Sequence, residues 1–344
     1  MSSRVRTALV GAGRIGSNHA EAIALRVPQA ELVAVVDLVP GAAGRLADRF
    51  GARAATDVAE VLAADDVDAV VVTSSARAHA DLVVAAAAAG KPVFCEKPMA
   101  LTLADADRAI AAVQEAGTSL QVGFNRRFAA GFAEARQVVA DGGIGDVQLM
   151  RSLTRDPGLA DPGGVPPWTV FRETLIHDFD TLLWFAAACG ARPVQVYAVA
   201  DALVAPESKD SGLLDTAVVT LRFDNGAIAT AEASFSAAYG YDVRGEVFGS
   251  AGMVTAGEQA ATSMRHYTSA GAAQQTVRGD TALFGAAYTA ELAHFADSVA
   301  AGTAPRVGGQ DARDALAVAL ACIVSVQEAR PVQLSEVEAR EVVA

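Results

Sequence analysis

Over residues 1–124 short apolar runs alternate with segments of helical periodicity. Val5–Val10 is a continuous apolar run that reads as a buried strand, and a helix follows from Arg14 to Arg26. Residues 31–37 form a second apolar run ending in an acid, and residues 41–51 a helix stopped by glycine. A third strand, 68–75, leads into a helix over 76–90 that glycine again closes. Further strands are expected at 92–98 and 119–124, with a helix near 103–116 between them. This alternation predicts a doubly wound parallel sheet with helices on both faces.

The pattern changes after about residue 145. Residues 146–155 are strand-like, residues 156–168 are a Pro- and Gly-rich loop, and a helix starts near Arg172. Strand runs punctuated by turn signals then follow at 193–200, 215–223, 227–235, 241–249 and 253–256, and Asn225-Gly226 marks a hairpin. Two helices, near 284–301 and 310–328, come last. The expected organisation is α/β: a Rossmann domain over 1–124, and over 125–344 an α+β domain with an open, mostly antiparallel sheet that binds substrate and assembles copies of the chain.

Composition narrows the functional classes. The 344 residues are 52% apolar and 19% charged, which suits two domains with large cores. The formal net charge of −13, with no long Lys/Arg run, excludes nucleic acid as an expected partner, because such a surface repels phosphate. Cys95, Cys189 and Cys322 are odd in number and scattered, which fits a reducing cytoplasm better than a disulfide framework. No signal core is evident, and the apolar stretch at 315–326 is too short to cross a bilayer, so no membrane partner is expected. His19, His79, His177, His266 and His294 do not pair at ligand spacing and there is no CxxC, so no metal is expected.

Gly11, Gly13 and Gly16 form GxGxxG directly after a strand and at the start of a helix. One glycine makes the tight turn, the next lets backbone approach a pyrophosphate, and the third lets helix and strand pack closely. The helix N-terminus adds free N–H groups and a partial positive charge that the acidic chain otherwise lacks. Asp37 ends the second strand, where a carboxylate accepts ribose hydroxyls and repels a 2′-phosphate; the expected cofactor is therefore NAD.

Glu96, Lys97 and Pro98 follow at the C-terminal end of another strand, where open α/β sheets bind ligands. A lysine there can contact a cofactor ribose and a substrate oxygen, or simply form a charge pair in water. Asn125, Arg126 and Arg127 can line the mouth of a cleft, although adjacent arginines are more often solvated or structural. In the helix of residues 171–185, Glu173, His177 and Asp180 stand at i, i+4 and i+7 and share a face, while Asp178 points elsewhere. An imidazole flanked by carboxylates can take a hydroxyl proton; the alternative is a histidine paired locally at a helix start.

The segments GAGRIGSNHA, CEKP, GFNRRF, SLTRDPG, IHDFD, YGYDVRGEVFGSAGM and AYTAELAHFADSV together resemble the Gfo/Idh/MocA oxidoreductase family, and within it the inositol 2-dehydrogenases. The resemblance implies that NAD is held by Gly11, Gly13, Arg14, Ile15, Gly16, Asp37, Ser74, His79, Glu96 and Lys97. It implies reversible oxidation of a secondary alcohol of a small polyol or sugar, with Lys97 beside the reacting hydroxyl and His177, supported by Glu173, as acid/base. Arg126, Asp156, Asp180 and Tyr241 match polyol-binding positions, alongside Lys97, Glu173 and His177. It also implies a homo-oligomer, a dimer or tetramer, built on the open sheet. Two departures stand out: Glu173 replaces the usual Asp, and 168–171 reads WTVF where a Gly-Gly-Ile-Phe run is usual. They leave open a pyranose sugar dehydrogenase, an NAD-dependent glycosidase, or a non-catalytic NAD-binding sensor.

Overall fold

The computed structural model describes residues 4–158, 164–257 and 259–339; residues 159–163 of the expected 156–168 loop lie outside the described residues. The chain forms two compact units, Met1–Phe128 with Ala286–Asp314, and Ala129–Gly285 with Ala315–Ala344.

The first unit holds β1 (Val5–Val10), α1 (Arg14–Arg26), β2 (Ala30–Val36), α2 (Pro40–Phe50), β3 (Arg53–Ala55), α3 (Val58–Leu62), β4 (Ala69–Val72), α4 (Ala76–Ala88), β5 (Val93–Glu96), α5 (Leu103–Ala116) and β6 (Leu120–Gly123). The six strands are parallel in the order β3-β2-β1-β4-β5-β6. Residues Ala69–Val72 and Val93–Glu96 are buried throughout, as strands covered on both faces must be. Chain order reverses between β1 and β4, so their C-terminal ends open the crevice where such sheets bind ligands.

The later segment Ala286–Asp314 belongs to this unit, whereas the sequence-based division assigns everything after residue 124 to the second domain. Its Leu292, Phe295 and Ala296 join the core formed by Leu9, Val35 and Phe94. The Val122 N–H donates to the Val307 carbonyl at 3.0 Å, and Gln121 Nε2 donates to the Glu291 carbonyl at 2.8 Å. Local periodicity shows two amphipathic helices here but not the unit on which each packs.

The second unit begins with α6 (Ala130–Ala140) and β7 (Val147–Arg155), then a single π-helical turn, Val170–Thr174, which runs into α7 (Leu175–Ala188). There follow β8 (Pro193–Asp201), β9 (Thr216–Phe223), β10 (Ile228–Ser234), β11 (Asp242–Gly249), β12 (Gly252–Ala256) and a hairpin of β13 (Ala260–Thr268) and β14 (Gly271–Thr276). The chain then runs through α8 (Asp280–Ala301), α9 (Gly309–Glu328), β15 (Val332–Gln333) and α10 (Leu334–Glu338); α8 and α9 each cross a unit boundary. The main sheet has the order β12-β11-β7-β10-β9-β8-β15, and only the β7–β10 pair is parallel.

Alternation along these strands separates two faces. On β9, Ala217, Val219, Leu221 and Phe223 are buried, and α7 packs against β7 and β10 with Ile176, Phe179 and Leu182 fully buried. The opposite face exposes apolar side chains, with Tyr197, Val199, Val218, Ile228 and Phe248 each 42–57% exposed, alongside the Arg151–Glu232 ion pair. Among the described residues, no helix is long and apolar enough to cross a membrane.

Candidate active site

The glycine turn adopts the geometry that its spacing predicts. Gly11 has φ +105°, and a Cβ there would lie 2.6 Å from the Ser74 nitrogen, so both backbone conformation and space require glycine. A Cβ on Gly16 would meet the Gly11 carbonyl, and the Thr73 hydroxyl donates to that same carbonyl at 2.8 Å. Gly13, by contrast, is the N-cap of α1 and a Cβ there would have open space; no side chain caps the helix and its first turn holds no acid. A helix start with neither a side-chain cap nor an acid fits the pyrophosphate of a dinucleotide.

Arg14 is exposed and Ile15 half-buried on the first turn of the same helix. Asp37 closes the rim: its Oδ2 accepts the Ala12 N–H at 2.7 Å and its Oδ1 the Val39 N–H at 2.8 Å. One carboxylate is therefore fixed beside the turn by two backbone donors, where the ribose of a bound NAD needs an acceptor. The residues present fit that cofactor.

Lys97 follows β5, half-buried, and its N–H donates to Glu96 Oε2 at 3.1 Å. The Lys97–Pro98 peptide is cis. The buried His79 ring lies under this turn, with Nδ1 2.8 Å from the Pro98 carbonyl and Nε2 3.0 Å from the Ser74 carbonyl. His79 and Glu96 are thus interior side chains that hold the backbone bearing Ser74 and Lys97. Glu96 is also bound by His19, whose Nε2–H donates to Oε1 at 2.7 Å. Burial works to raise the Glu96 pKa, but the His19 hydrogen bond and the neighbouring His19, Lys97 and His79 charges hold it below the usual carboxylate range.

Asn125–Phe128 form a 3₁₀ turn after β6 in which both arginines are buried. Arg127 donates to Asp311 at 2.9 Å and is structural within the first unit; Arg126, 3% exposed, is the member of the pair at the polyol-matching position.

In the second unit two of the matching positions lie at the end of β7. Asp156 follows that strand and Tyr241 precedes β11; because Arg155 pairs with Asp242 in the antiparallel register, Asp156 and Tyr241 are the next opposed positions. On α7, His177 is half-buried, while Asp178 and Asp180 are buried. Asp178 accepts the Ser152 hydroxyl at 2.5 Å and the Thr154 hydroxyl at 2.6 Å, so it anchors α7 to β7.

The helix expected from Arg172 starts differently. Glu173 lies in the π-helical turn, and regular α-helix begins only at Leu175, so the simple i, i+4 relation of Glu173 to His177 is altered by the wider turn. Trp168 stands at the head of that turn with φ +62°, an uncommon conformation for a bulky residue. Its carbonyl accepts the N–H groups of Phe171 and Arg172 at 3.0 and 3.1 Å, and its indole stacks on Phe171 with ring centroids 6.5 Å apart. Both departures from the family pattern, Trp168 and Glu173, therefore belong to one distorted turn.

Sequence reasoning misses a group in the first unit. His19, Glu96 and Glu291 are all buried, and their ligating atoms lie within 4.8 Å of one another. They come from α1, β5 and α8 and share no local spacing. The available signal was an acid inside the apolar run AYTAELAHFADSV.

The sequence profile of an oxidoreductase family with an NAD-binding Rossmann fold matches residues 5–124, and that of the GFO/IDH/MocA C-terminal domain matches residues 132–255. The chain is 36% identical to myo-inositol 2-dehydrogenase of Thermotoga maritima, covering 97% of this chain and 99% of that one. It is 33% identical to the NAD(+)-dependent scyllo-inositol 2-dehydrogenase of Bacillus subtilis, over 97% of each. The crystal structure of scyllo-inositol dehydrogenase from Lactobacillus casei with bound NAD(H) and scyllo-inositol superposes with a TM-score of 0.92 at 26% identity, covering 97% of this chain and 100% of that one.

Proposed function

The chain belongs to the GFO/IDH/MocA family of NAD-binding oxidoreductases, and on that premise we propose that it oxidises one secondary hydroxyl of an inositol, or of a closely related cyclic polyol, to a ketone. The observation that carries the substrate class is the near full-length likeness to myo- and scyllo-inositol dehydrogenases, in a chain that keeps a lysine after β5 and a histidine on α7.

Bound NAD supplies the hydride acceptor. Gly11, Gly13, Arg14, Ile15 and Gly16 form its pyrophosphate turn, Asp37 takes the adenosine ribose, and Ser74 and Lys97 contact it from the ends of β4 and β5. Glu96 and His79 serve the cofactor through the backbone that they hold. Loss of hydride makes the substrate hydroxyl more acidic, so its proton must leave in the same step. His177 is the group that takes that proton, with Glu173 orienting it, and the Lys97 ammonium stabilises negative charge developing on oxygen. Arg126, Asp156, Asp180 and Tyr241 hold the remaining hydroxyls.

The exposed apolar face of the second unit's sheet is proposed as the contact between copies of the chain in a homotetramer. Val199 faces Val218 across β8–β9, and Ile228, Leu149 and Phe248 align across β10, β7 and β11, so exposed apolar side chains from five strands share this face. Three scattered free cysteines favour a cytoplasmic location.

Incubation with NAD and a panel of inositols, pyranoses and glycosides tests the reading. Net NADH from an inositol supports it. Net NADH only from pyranoses, cleavage of a glycoside without net NADH, or NAD binding without turnover of any compound would each replace it.

A further inference from the structure

Beneath the Lys97 turn, the first unit buries three titratable side chains from three elements. His19 and Glu291 are 0% exposed and Glu96 is 5% exposed. We propose that Glu291 is a neutral carboxylic acid beside an ionised Glu96, and that His19 is a positioning residue that holds the Glu96 carboxylate under the Lys97 peptide.

The two carboxyl groups are treated very differently by their surroundings. Glu96 receives two donors, the His19 imidazole at Oε1 and the Lys97 N–H at Oε2. Glu291 receives none at either oxygen, although both are buried. An ionised carboxylate without a donor in an apolar interior costs far more than taking up a proton does near neutral pH. With ligating atoms of the two acids no more than 4.8 Å apart, only one negative charge is tolerable, and the donors decide that it resides on Glu96. Burial, and then the Glu96 charge, push the Glu291 pKa well above its ordinary value.

The same atoms argue against a cation at this place. His19 Nε2 and Glu96 Oε1 are 2.7 Å apart, as a proton between them requires, whereas a shared metal needs both lone pairs turned toward itself. Other groups act on the pair from the elements around it. Tyr288 packs its ring 5.6 Å from that of His19, Gln121 donates to the Glu291 backbone, and Lys97 and His79 act on Glu96 by charge. The adjacent Cys95 thiol is pushed up by burial and by Glu96, and stays neutral.

The His19–Glu96 hydrogen bond has a mechanical consequence. His19 stands on α1, three residues after the last glycine of the cofactor turn, and Glu96 immediately precedes Lys97. A Cβ on Gly123 of the neighbouring strand would meet the Glu96 carboxyl carbon at 3.1 Å, so β6 leaves this carboxylate just enough room. The helix that receives the pyrophosphate and the residue proposed to face the substrate are thereby joined by one hydrogen-bonded path. Only the link from this path to catalysis rests on the dehydrogenase reading; the charge state and the Lys97 backbone contact do not.

The experiment uses readouts that need no substrate. Infrared spectra of the full chain at pH 8 are expected to contain the carbonyl stretch of a neutral carboxylic acid that Glu291→Gln removes. Because the folded state holds this proton above the unfolded carboxyl pKa, wild-type stability falls as pH rises toward the folded value, and the glutamine variant escapes that loss. The melting-temperature difference, Glu291→Gln minus wild type, should therefore increase from pH 6 to pH 9. Exchange of the Lys97 amide hydrogen should accelerate about tenfold or more in His19→Ala, and return toward wild type in His19→Gln, whose side-chain amide can still donate to Glu96. An unchanged spectrum, a flat or falling difference with pH, stoichiometric zinc or manganese lost in Glu291→Gln, or Lys97 exchange indifferent to His19 would each overturn the proposal.

Discussion

The Asp37 carboxylate accepts the backbone N–H of Ala12 at 2.7 Å, which ties the end of the second strand to the glycine turn. The acid is therefore fixed at the rim of the dinucleotide site instead of sampling solvent. On the proposed reading, Asp37→Ala removes the anion that repels a 2′-phosphate and the acceptor for the ribose hydroxyls. The ratio of NAD to NADP affinity is expected to fall by about tenfold or more, the equivalent of one charge-assisted hydrogen bond. Titration with both cofactors checks this, and an unchanged ratio would show that Asp37 does not face the ribose.

Lys97→Ala and His177→Ala are each expected to lower kcat by about 10²–10⁴-fold, the usual range for a group that moves or balances a proton in the transition state. NAD affinity should fall less than kcat in Lys97→Ala and stay near wild type in His177→Ala. Steady-state kinetics with an inositol, paired with cofactor titration, separates these effects. Near-normal turnover in both variants would remove them from the chemistry.

Trp168 and Glu173 are expected to set substrate preference. Trp168→Gly suits the backbone at φ +62° and removes the indole stacked on Phe171. Glu173→Asp withdraws a carboxylate by one methylene within the π-helical turn. Each change should alter the ratio of kcat/KM for myo- and scyllo-inositol by about fivefold or more, or roughly 1 kcal/mol. A ratio that neither variant moves would place the turn away from substrate.

The outward face of the second unit's sheet provides a further test. Val199 and Val218 stand directly across the β8–β9 pair, 57% and 49% exposed. Val199→Asp is expected to shift the proposed tetramer toward smaller species in light scattering with little effect on the secondary structure. A wild-type chain that is monomeric at micromolar concentration would contradict the assembly.

The strand–glycine–helix start was legible because its determinants are local: an apolar run, three glycines, a helical period and an acid at the end of the next strand. The partners of Asp178 were not legible: helical spacing separates it from the Glu173, His177 and Asp180 positions, but the Ser152 and Thr154 hydroxyls that bind it lie on another element. Nor was the π-helical turn, because Glu173 and His177 suit a regular helix equally well in sequence. The return of Ala286–Asp314 to the first unit, and the meeting of His19, Glu96 and Glu291, depend on contacts across hundreds of residues that no local period encodes. Glu96 and His79 show the same limit: their proximity to Lys97 and Ser74 was readable, but not that their side chains turn inward to hold the backbone.

Transfer of label from substrate to cofactor tests the central claim most directly. NAD is incubated with ring-deuterated myo- or scyllo-inositol, and the nicotinamide product is analysed by mass spectrometry. The expected result is NADH carrying one deuterium, formed together with a ketone, and strongly reduced in Lys97→Ala and His177→Ala. Cofactor that binds but gains no deuterium from either inositol would contradict it.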